Sequence, residues 1–436
     1  MTVRIADGAG ALDVARGERA FVIGIERTGP GNGRSSEAKL DEAVGLAQAI
    51  GIDVVAQRTV RLRAPKPATL IGKGQIDEIA EEAKEREAGL LIVDAPLTPV
   101  QQKSLEEQVG TKVIDRTSLI LEIFGERAAT SEGRLQVELA HLDYQAGRLV
   151  RSWTHLERQR GGFGFLGGPG ETQIEADRRL IRDRMARIRR ELEQVKRTRS
   201  LHRGRRQRAP WPVIALVGYT NAGKSTLFNR MTGGDVLAEN MLFATLDPTM
   251  RDVKLPGFDK AILSDTVGFV SDLPTQLIAA FRATLEEVAS ADLLVHVRDM
   301  AHPDREAQRE DVDEVLAQLG VGPEDEGAPP RIEAWNKVDL LAPQDREALQ
   351  AEAARREDVV PISALTGFGL DVLSQRISNQ LQSGNVVHSI QLPASDGEKL
   401  AWLHARGDVI GQDMRDGDLH LQVRLSPENW ARFQSL

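Results

Sequence analysis

The chain has 436 residues, a formal net charge of −9 and 41% hydrophobic residues. This length exceeds what one hydrophobic core usually serves, and the apolar content excludes a disordered protein. The absence of cysteine excludes disulfides and thiolate metal sites, and the eight histidines lack the spacing of a metal site. The first residues do not resemble a signal peptide, and no apolar stretch is long enough for a membrane span. We expect a cytoplasmic monomer with two or three domains.

Residues 20 to 115 alternate extended apolar runs with helical patterns, which is typical of a small parallel α/β layer. The sequence predicts strands at 21–27, 53–62, 90–94 and 111–115, and helices at 36–51, 74–89 and 97–110. We assign residues 1–133 to this N-terminal unit. Gly72, Lys73 and Gly74 precede a predicted helix and could hold a phosphate, but the pattern favours an ordinary strand-to-helix loop.

From Leu135 the apolar residues recur at steps of three and four, which indicates a pair of packed helices. The first seam contains Leu135, Leu139, Leu142, Ala146, Leu149, Trp153 and Leu156, and the second contains Ile174, Ile181, Met185, Ile188, Leu192 and Val195. Because a glycine-rich run, Gly161 to Gly170, joins the two seams, the sequence predicts a long antiparallel helical hairpin over residues 134–203. Each arm is expected to be about 35 Å long, with the glycines at the tip.

This hairpin is strongly basic within an acidic protein, because residues 148–208 contain 18 Lys/Arg and only 7 Asp/Glu. Such a basic arm favours contact with nucleic acid, although a solvated helix face would also account for it. The residues expected to bind RNA are Arg178, Arg179, Arg182 and Arg184 on the helix, and Phe163 and Phe165 at the tip. The two phenylalanine rings could stack on splayed bases, or the tip could be a flexible turn.

A second α/β unit, the G unit, follows a basic linker at residues 204–210. Strand-like runs recur at 213–217, 261–265, 293–298, 331–335 and 359–363, with helical patterns between them. This order predicts a doubly wound, mostly parallel sheet over residues 211–384. The last segment, 385–436, predicts a small C-terminal α/β unit with the order β-α-β-β-α.

The segment GYTNAGKS, from Gly218 to Ser225, matches the phosphate-binding pattern G-x-x-x-x-G-K-[ST] between a strand and a helix. Its backbone amides are expected to cradle the α and β phosphates, while Lys224 reaches the β and γ phosphates. The hydroxyl of Ser225 is expected to bind Mg²⁺. The sequence therefore predicts a P-loop nucleotide site with magnesium as cofactor.

Two further motifs supply groups for hydrolysis. Asp265 ends an apolar strand in SDTVG, where its carboxylate can bind the Mg²⁺ shell through water and the Gly268 amide can meet the γ-phosphate. Thr245 in FATLDPT can complete the metal shell when a γ-phosphate is present. We expect Lys224, Thr245 and Gly268 to carry the catalytic step.

The motif NKVD at residues 336–339 selects the base. Asp339 can accept from both N1–H and the 2-amino group of guanine, a donor pair that adenine lacks. Ser363-Ala364, on the next predicted strand, should cover guanine O6 with a backbone amide. Because these motifs follow one another in the right order on the right elements, the sequence predicts a GTPase.

One position departs from the usual design of such enzymes. Many GTPases place a water-orienting glutamine directly after this glycine, but here the residue is Phe269. A benzyl group cannot hydrogen-bond a water, so another residue or a bound partner must position the nucleophile, or hydrolysis stays slow until docking. The alternative is that Phe269 is a core residue of a GTPase that hydrolyses briskly alone.

With these motifs the chain resembles the HflX family of translation GTPases, over roughly residues 20 to 380. The resemblance rests on GPGETQIEADRR, VGYTNAGKSTLFNR, FATLDPT, LSDTVGFVSDLP and ADLLVHV, and on TLIGKGQIDEIA, DRTSLILEIF and GRLQVELAHLDYQ. It implies a GTPase, stimulated by the ribosome, that binds the large (50S) subunit through rRNA and protein and dissociates stalled or idle ribosomes under stress. Gly167 and Gly168 stand where many relatives carry a basic residue.

The motifs and the resemblance together give the expected nucleotide site. Its residues are Gly218, Tyr219, Thr220, Asn221, Ala222, Gly223, Lys224, Ser225, Thr226, Phe243, Ala244, Thr245, Leu246, Asp247, Asp265, Thr266, Val267, Gly268, Asn336, Lys337, Asp339, Ser363 and Ala364. Ser225 and Thr245 are the expected magnesium ligands, with Asp265 acting through water. A rival interpretation is a nucleotide-switched regulatory adaptor that binds a protein partner through the hairpin.

Overall fold

The computed structural model describes residues 16–27, 35–159, 169–206, 211–234, 243, 249–271, 287–325, 327–383, 386–415, 417–425, 427–434 and 436. For residues 149–159, 169–174, 177 and 196–206, only the helical backbone is described. Residues with predicted roles that lie outside these ranges include Phe163 and Phe165 at the hairpin tip, and Thr245, the expected magnesium ligand.

The N-terminal unit is a parallel four-stranded sheet with helices on both faces, as the sequence predicts. Its strands, in the order β2-β1-β3-β4, are β1 (Arg19–Arg27), β2 (Asp53–Leu62), β3 (Leu90–Asp94) and β4 (Lys112–Asp115). Its helices are α1 (Ser36–Ala49), α2 (Lys73–Glu85), α3 (Pro99–Val109) and α4 (Arg116–Arg127). Side chains of β1 alternate between two cores, with Phe21 and Ile23 facing α2 and α3, and Ala20 and Val22 facing α1 and α4.

Helix α4 is an element that the strand and helix predictions do not contain. It begins directly after β4, where the Asp115 carboxylate accepts from the Ser118 amide and caps the helix. Its apolar residues Leu119, Ile120 and Phe124 are fully buried. Because a helix that is apolar nearly all round has no clear amphipathic period, its sequence does not distinguish it from a buried strand.

The hairpin consists of α5 (Ser131–Gln159) and α6 (Pro169–Arg206). Met185 and Ile188 of the second predicted seam are buried between the helices and their neighbours. With 29 and 38 residues, the helices are about 44 and 57 Å long, so the expected arm length of about 35 Å is too short. Helix α6 also includes the first residues of the expected linker at 204–210, because the arginine-rich segment after Val195 favours a helix and has no proline before Pro210.

The G unit is a six-stranded sheet in the order β10-β9-β8-β5-β7-β6. Its strands are β5 (Val213–Val217), β6 (Thr249–Leu255), β7 (Phe258–Asp265), β8 (Leu293–Asp299), β9 (Arg331–Asn336) and β10 (Val359–Pro361). Its described helices are α7 (Lys224–Thr232), α8 (Arg305–Gln318), α9 (Pro343–Ala353) and α10 (Leu370–Gln382). All neighbouring strands are parallel except β6, an edge strand that pairs antiparallel with β7. The sheet is therefore mostly parallel, as predicted.

The C-terminal unit has the predicted order β-α-β-β-α. It contains β11 (Val386–Pro393), α11 (Gly397–Arg406), β12 (Asp408–Arg415), β13 (Asp418–Leu425) and α12 (Pro427–Gln434). The strands form an antiparallel sheet in the order β11-β13-β12. Across the described part of the whole chain, no helix has the length and hydropathy to span a membrane.

The N-terminal unit and the G unit share one hydrophobic core. Phe124 of α4 packs edge-on against Phe243, with ring centroids 4.7 Å apart. Phe269 and Val270, which follow the DTVG motif, are buried in the same core. This shared core brings α1 and α4 next to the loops that end β5 and β7, where the nucleotide motifs lie.

Candidate nucleotide site

The P-loop connects the buried strand β5 to the first turn of α7 and leaves no room for side chains at two glycines. Gly218 has φ +150°, and a Cβ there would overlap the backbone oxygen of Val297 on β8. Gly223 has φ +96°, and a Cβ there would overlap the side-chain amide of Asn336. Only glycine fits both positions, so the loop presents backbone amides at the amino terminus of α7.

Lys224 opens α7 and is buried, with its ammonium folded back over the loop. Its Nζ donates to the carbonyl oxygens of Gly218 at 3.0 Å and Tyr219 at 2.8 Å. Burial lowers the pKa of Lys224 to about 8, and the nearby charge of Asp265 opposes this shift. The ammonium is therefore held in place by two carbonyl oxygens of the loop.

Ser225 and Asp265, the residues expected on the metal side of the site, contact each other. The Ser225 hydroxyl donates to Asp265 Oδ2 at 2.7 Å, which joins the start of α7 to the end of β7. Thr266 is anchored by its hydroxyl, which donates to the Leu216 carbonyl of β5 at 2.6 Å. A hydroxyl beside a buried carboxylate is the oxygen set that Mg²⁺ prefers, so these residues fit the expected ion. The described residues contain no cluster of three or more His, Cys, Asp or Glu side chains for a metal.

The segment expected to bind guanine is tied to the P-loop by Asn336. Its Nδ2 donates to the Ala222 carbonyl at 2.8 Å, and its Oδ1 accepts from the Ala364 amide at 2.9 Å. Asp339 lies half-buried in the short 3-10 helix Val338–Leu340. Lys337 has φ +64° and forms an ion pair with Asp299, with Nζ and Oδ2 2.7 Å apart. Three loops that are distant in sequence therefore meet around one side-chain amide.

The pair Ser363-Ala364 lies just after β10 rather than on a strand, because β10 ends at Pro361. The Ser363 amide donates to the Phe368 carbonyl at 3.0 Å, and the Ala364 amide donates to Asn336. If the Ala364 amide donates to guanine O6, as expected, it must share its hydrogen between O6 and Asn336 Oδ1.

Four sequence profiles match the chain: "GTP-binding GTPase N-terminal" at 37–125, "GTP-binding GTPase Middle Region" at 127–206, "50S ribosome-binding GTPase" at 213–337, and "HflX C-terminal domain" at 348–434. The protein named GTPase HflX of Magnetococcus marinus is 49% identical over 397 residues, which cover 91% of this chain and 90% of the relative. The chain belongs to the HflX family of GTPases. GTPase HflX of Escherichia coli is 42% identical over 396 residues, 90% of this chain and 91% of the relative. A solved GTP-binding protein of Sulfolobus solfataricus in complex with GDP has a TM-score of 0.44 at 23% identity, covering 84% of this chain and 99% of that one.

As an HflX-family enzyme, the protein binds GTP and hydrolyses it. The ring of Phe269 points into the core that the G unit shares with the N-terminal unit, and its side chain is only 1% exposed. Its backbone forms a parallel bridge with the P-loop: the Phe269 amide donates to Gly218 at 3.1 Å, and the Thr220 amide donates to Phe269 at 2.7 Å. Phe269 is thus a core residue that holds the two phosphate-side loops together.

Several other predicted site residues have structural roles in this HflX-family protein, or lie outside the described ranges. Phe243 is buried against Phe124, and the Tyr219 hydroxyl donates to Glu42 of α1. Asn221 has φ +58° and is exposed on the P-loop. The residues outside the described ranges are Ala244, Thr245, Leu246 and Asp247.

The arginines expected to bind RNA differ in how they are used. Arg179 and Arg182 are exposed on α6, and Arg178 is half-buried. Arg184 pairs with Glu138 of α5 through two contacts, Nε to Oε1 at 2.6 Å and Nη2 to Oε2 at 3.0 Å. Arg184 therefore links the two helices of the hairpin, whereas Arg179 and Arg182 point their charge toward solvent.

Sequence reasoning missed a polar cluster that joins the N-terminal unit to the nucleotide loops. It consists of Glu42, Asp94, Arg116 and Ser271, together with Tyr219. Up to 229 positions separate its members in the chain, and single charged residues in helices give no signal of such pairing. Only the run DRTSL, in which an arginine directly follows a strand, is unusual enough to suggest a buried role.

Proposed function

We propose that this HflX-family GTPase binds the large (50S) ribosomal subunit and dissociates stalled or idle ribosomes under stress. The observation that carries this proposal is the row of exposed arginines on α6, which includes Arg179, Arg182, Arg189 and Arg190. A helix of about 57 Å that presents arginines to solvent suits a surface of phosphates better than an apolar groove. The profile described as "50S ribosome-binding GTPase" over residues 213–337 supports the same partner.

Within the nucleotide site, we propose that Mg²⁺ is held by Ser225 and Thr245, with Asp265 acting through water. The 2.7 Å contact between Ser225 and Asp265 supports this, because it places a hydroxyl ligand and a second-sphere carboxylate together. Bound Mg²⁺ would neutralise charge on the β and γ phosphates. Lys224 would contact these phosphates, and Asp339 would select guanine.

The division of the chain at 1–133, 134–203, 204–210, 211–384 and 385–436 remains part of this proposal, with the hairpin extended to Ser131 and Arg206, where its helices begin and end. A monomer in the cytoplasm is also part of it. A ribosome partner requires that location. The ribosome could also supply the group that positions the attacking water, since the Phe269 side chain is buried and cannot do so. We expect docking on the ribosome to speed GTP hydrolysis by ordering the loops around Thr245 and Gly268.

The arginine row is tested by replacing Arg179, Arg182 and Arg189 together with glutamine. Because each lost phosphate contact releases fewer counterions, we expect weaker co-sedimentation with 50S subunits and a salt slope that falls by about 2 to 3. Arg184 stays in place, since its pairing with Glu138 supports the hairpin. Binding is measured in the presence of GTP, GDP and a non-hydrolysable GTP analogue, over a range of potassium chloride concentrations.

A matched control removes the same charge elsewhere, by replacing Arg63, Arg86 and Arg355, which are exposed on the N-terminal unit and the G unit. This control should keep the parent slope, and both triple variants should bind GTP as the parent does. Equal slopes for parent and hairpin variant would contradict an RNA contact. They would instead favour an adaptor that binds a protein through the hairpin.

The splitting activity is tested separately by shortening Gly161 to Gly170 to a tight turn. We expect this variant to bind GTP and to associate with 50S subunits through the arginines of α6, but not to separate 70S ribosomes in a light-scattering assay. Full splitting by the shortened variant would show that the tip is only a connection between helices.

A further inference from the structure

Ser271, three residues after Gly268, is bonded through every one of its polar groups. Its amide donates to the Tyr219 hydroxyl at 2.9 Å, and its own hydroxyl donates to Glu42 Oε1 at 3.3 Å. The Arg116 guanidinium donates to the Ser271 carbonyl at 3.1 Å and to its hydroxyl oxygen at 3.0 Å. Two of the three partners, Glu42 on α1 and Arg116 on α4, belong to the N-terminal unit.

These partners are themselves held in a buried charge network. Arg116 forms ion pairs with Glu42 and with Asp94, the latter with Nη1 and Oδ1 2.6 Å apart, and the side chains are 7%, 12% and 8% exposed. Burial disfavours the charge of Arg116, but Asp94 and Glu42 outweigh it, so the pKa of Arg116 lies above its ordinary value. Removing one partner from such a network leaves a buried charge without compensation, which is strongly destabilising. Ser271 is therefore anchored to a rigid part of the N-terminal unit.

The same network also holds the P-loop. The Tyr219 hydroxyl donates to Glu42 Oε2 at 2.5 Å while it accepts from the Ser271 amide. Glu42 thus bonds, through its two oxygens, to the P-loop at Tyr219 and to the segment after the DTVG motif at Ser271. One carboxylate from outside the G unit therefore contacts both loops, in addition to the backbone bridge between them at Phe269.

Gly268 directly precedes Phe269, the residue of the P-loop bridge, and lies three positions before Ser271. Phe269, the next residue, is hydrogen-bonded to Gly218 and Thr220, and a Cβ on Gly268 would lie 3.1 Å from Lys224 Nζ. The Gly268 amide is expected to meet the γ-phosphate. Its segment is held on the carboxyl side by the connections at Phe269 and Ser271, and on the amino side by the Thr266 hydroxyl, which donates to the Leu216 carbonyl. Because the buried Phe269 gives no side chain to orient water, fixed backbone groups carry more of that task.

We propose that Glu42 and Arg116 are positioning residues for GTP hydrolysis: they hold Ser271, and through it the Gly268 amide, at the γ-phosphate end of the site. Glu42 reaches the P-loop only at the Tyr219 hydroxyl, whereas the backbone of that loop, which is expected to bind the α and β phosphates, is held separately by Phe269 and Asn336. Their loss should therefore reduce the rate of hydrolysis and leave the affinity for GTP nearly unchanged.

The test is single-turnover GTP hydrolysis by the full-length protein without ribosomes, paired with GTP affinity from a fluorescent analogue. Glu42→Gln keeps the shape of the side chain but replaces one carboxylate oxygen with an NH₂ group. The variant therefore cannot accept at both the Arg116 position and the Tyr219 position. We expect a hydrolysis rate about 10-fold lower and a GTP dissociation constant within about twofold of the parent. Ser271→Ala, which removes only the hydroxyl contacts, should lower the rate by a smaller factor. The double variant should be no slower than Glu42→Gln alone, because both changes break the same connection.

Asp304→Ala is the matched control. Its carboxylate accepts from the Ser35 amide at 3.3 Å, so it also joins the two units, but it is not a member of the network of Glu42, Asp94, Arg116 and Ser271. This variant should hydrolyse GTP at the parent rate. An unchanged or faster rate in Glu42→Gln would overturn the proposal, as would a proportional loss of GTP affinity or an equal loss in Asp304→Ala. Thermal unfolding of each variant identifies global damage, and Ser271→Ala still decides the question if Glu42→Gln is destabilised.

Discussion

The nucleotide site and the hairpin use charged residues in opposite ways. In the site, Lys224 and Asp265 are buried and each has fixed partners on neighbouring loops. On α6, Arg179 and Arg182 are exposed and form no ion pair with any residue that the structure describes. A buried charge depends on the exact position of its partners and tolerates little change. Exposed charges contribute through their total number, so that one can nearly replace another. Substitutions should therefore have large, local effects in the site and small, additive effects on the hairpin.

The largest effect is expected for Gly218→Ala in the P-loop. The new methyl group would overlap the Val297 backbone oxygen, and φ +150° is unfavourable for alanine, so the loop must move. We expect GTP affinity to fall by about 100-fold or more, because the amides no longer converge on the phosphates. Isothermal titration with GTP measures the change.

Gly74→Ala provides the control for that substitution. Gly74 lies in α2, where a Cβ would meet no atom within 4 Å. The variant should bind GTP normally and be as stable as the parent or slightly more stable, by up to about 1 kcal/mol. Normal GTP binding by Gly218→Ala would show that the loop can adapt and that the site is less rigid than the contacts indicate.

The second prediction compares two ion pairs. Glu333 accepts from Arg298 at 2.7 Å and from the Trp335 indole at 2.8 Å, and both members of the ion pair are almost fully buried. Burial alone would raise the pKa of Glu333, but these hydrogen bonds lower it to about 2. We expect Glu333→Gln to lower the free energy of unfolding by about 3 kcal/mol, since it leaves the Arg298 charge buried.

The matching change on the hairpin is Arg184→Gln, which breaks the half-exposed pair with Glu138. It should cost less than about 1 kcal/mol. Urea unfolding followed by circular dichroism measures both variants. Similar losses of unfolding free energy in the two variants would contradict the contrast between the two regions.

The contribution of Glu333 to the free energy of unfolding should be present above pH 4.5 and disappear as the pH falls toward 2, because the pKa of Glu333 is lower in the folded protein than in the unfolded chain.

The third prediction concerns base selection by Asp339, which the structure places half-buried in a short 3-10 helix. In Asp339→Asn, the side-chain NH₂ would face the N1–H and 2-amino donors of guanine, but it can satisfy a carbonyl. We expect GTP affinity to fall by about 100-fold and xanthosine triphosphate to bind in its place. Competition binding with the two nucleotides measures the exchange, and an unchanged preference for GTP would refute the assignment.

The smallest effect is expected from pH. The pKa of Lys224 is about 8 in the protein, below its ordinary value, so the ammonium loses its proton above that pH. If phosphate binding requires the charged form, GTP affinity should fall by about sevenfold between pH 7 and pH 8.8, with proton uptake on binding. Titration calorimetry in buffers of different ionisation enthalpy detects that proton. A constant affinity without proton uptake would mean that the lysine stays charged in the site.

The sequence anticipated most elements because their signals are local. The strands of the N-terminal unit, the parallel strands of the G unit and the β-α-β-β-α order of the C-terminal unit all follow from apolar period and turn residues. Helix α4 and strand β6 were missed for different reasons. Helix α4 is buried nearly all round, and β6 is an edge strand whose residues alternate weakly between buried and exposed.

By itself, the sequence determined the P-loop, the DTVG and NKVD motifs and the basic hairpin, because each needs particular residue types at fixed spacing. Only the tertiary structure decided that Phe269 belongs to a shared core, that Arg184 ties the hairpin together, and that Ser271 is bound to α1 and α4. These contacts join residues up to 229 positions apart, and the packing of two separate units sets their geometry. A sequence motif indicates the chemistry of one loop, whereas the position of that loop depends on the residues from other elements that pack against it.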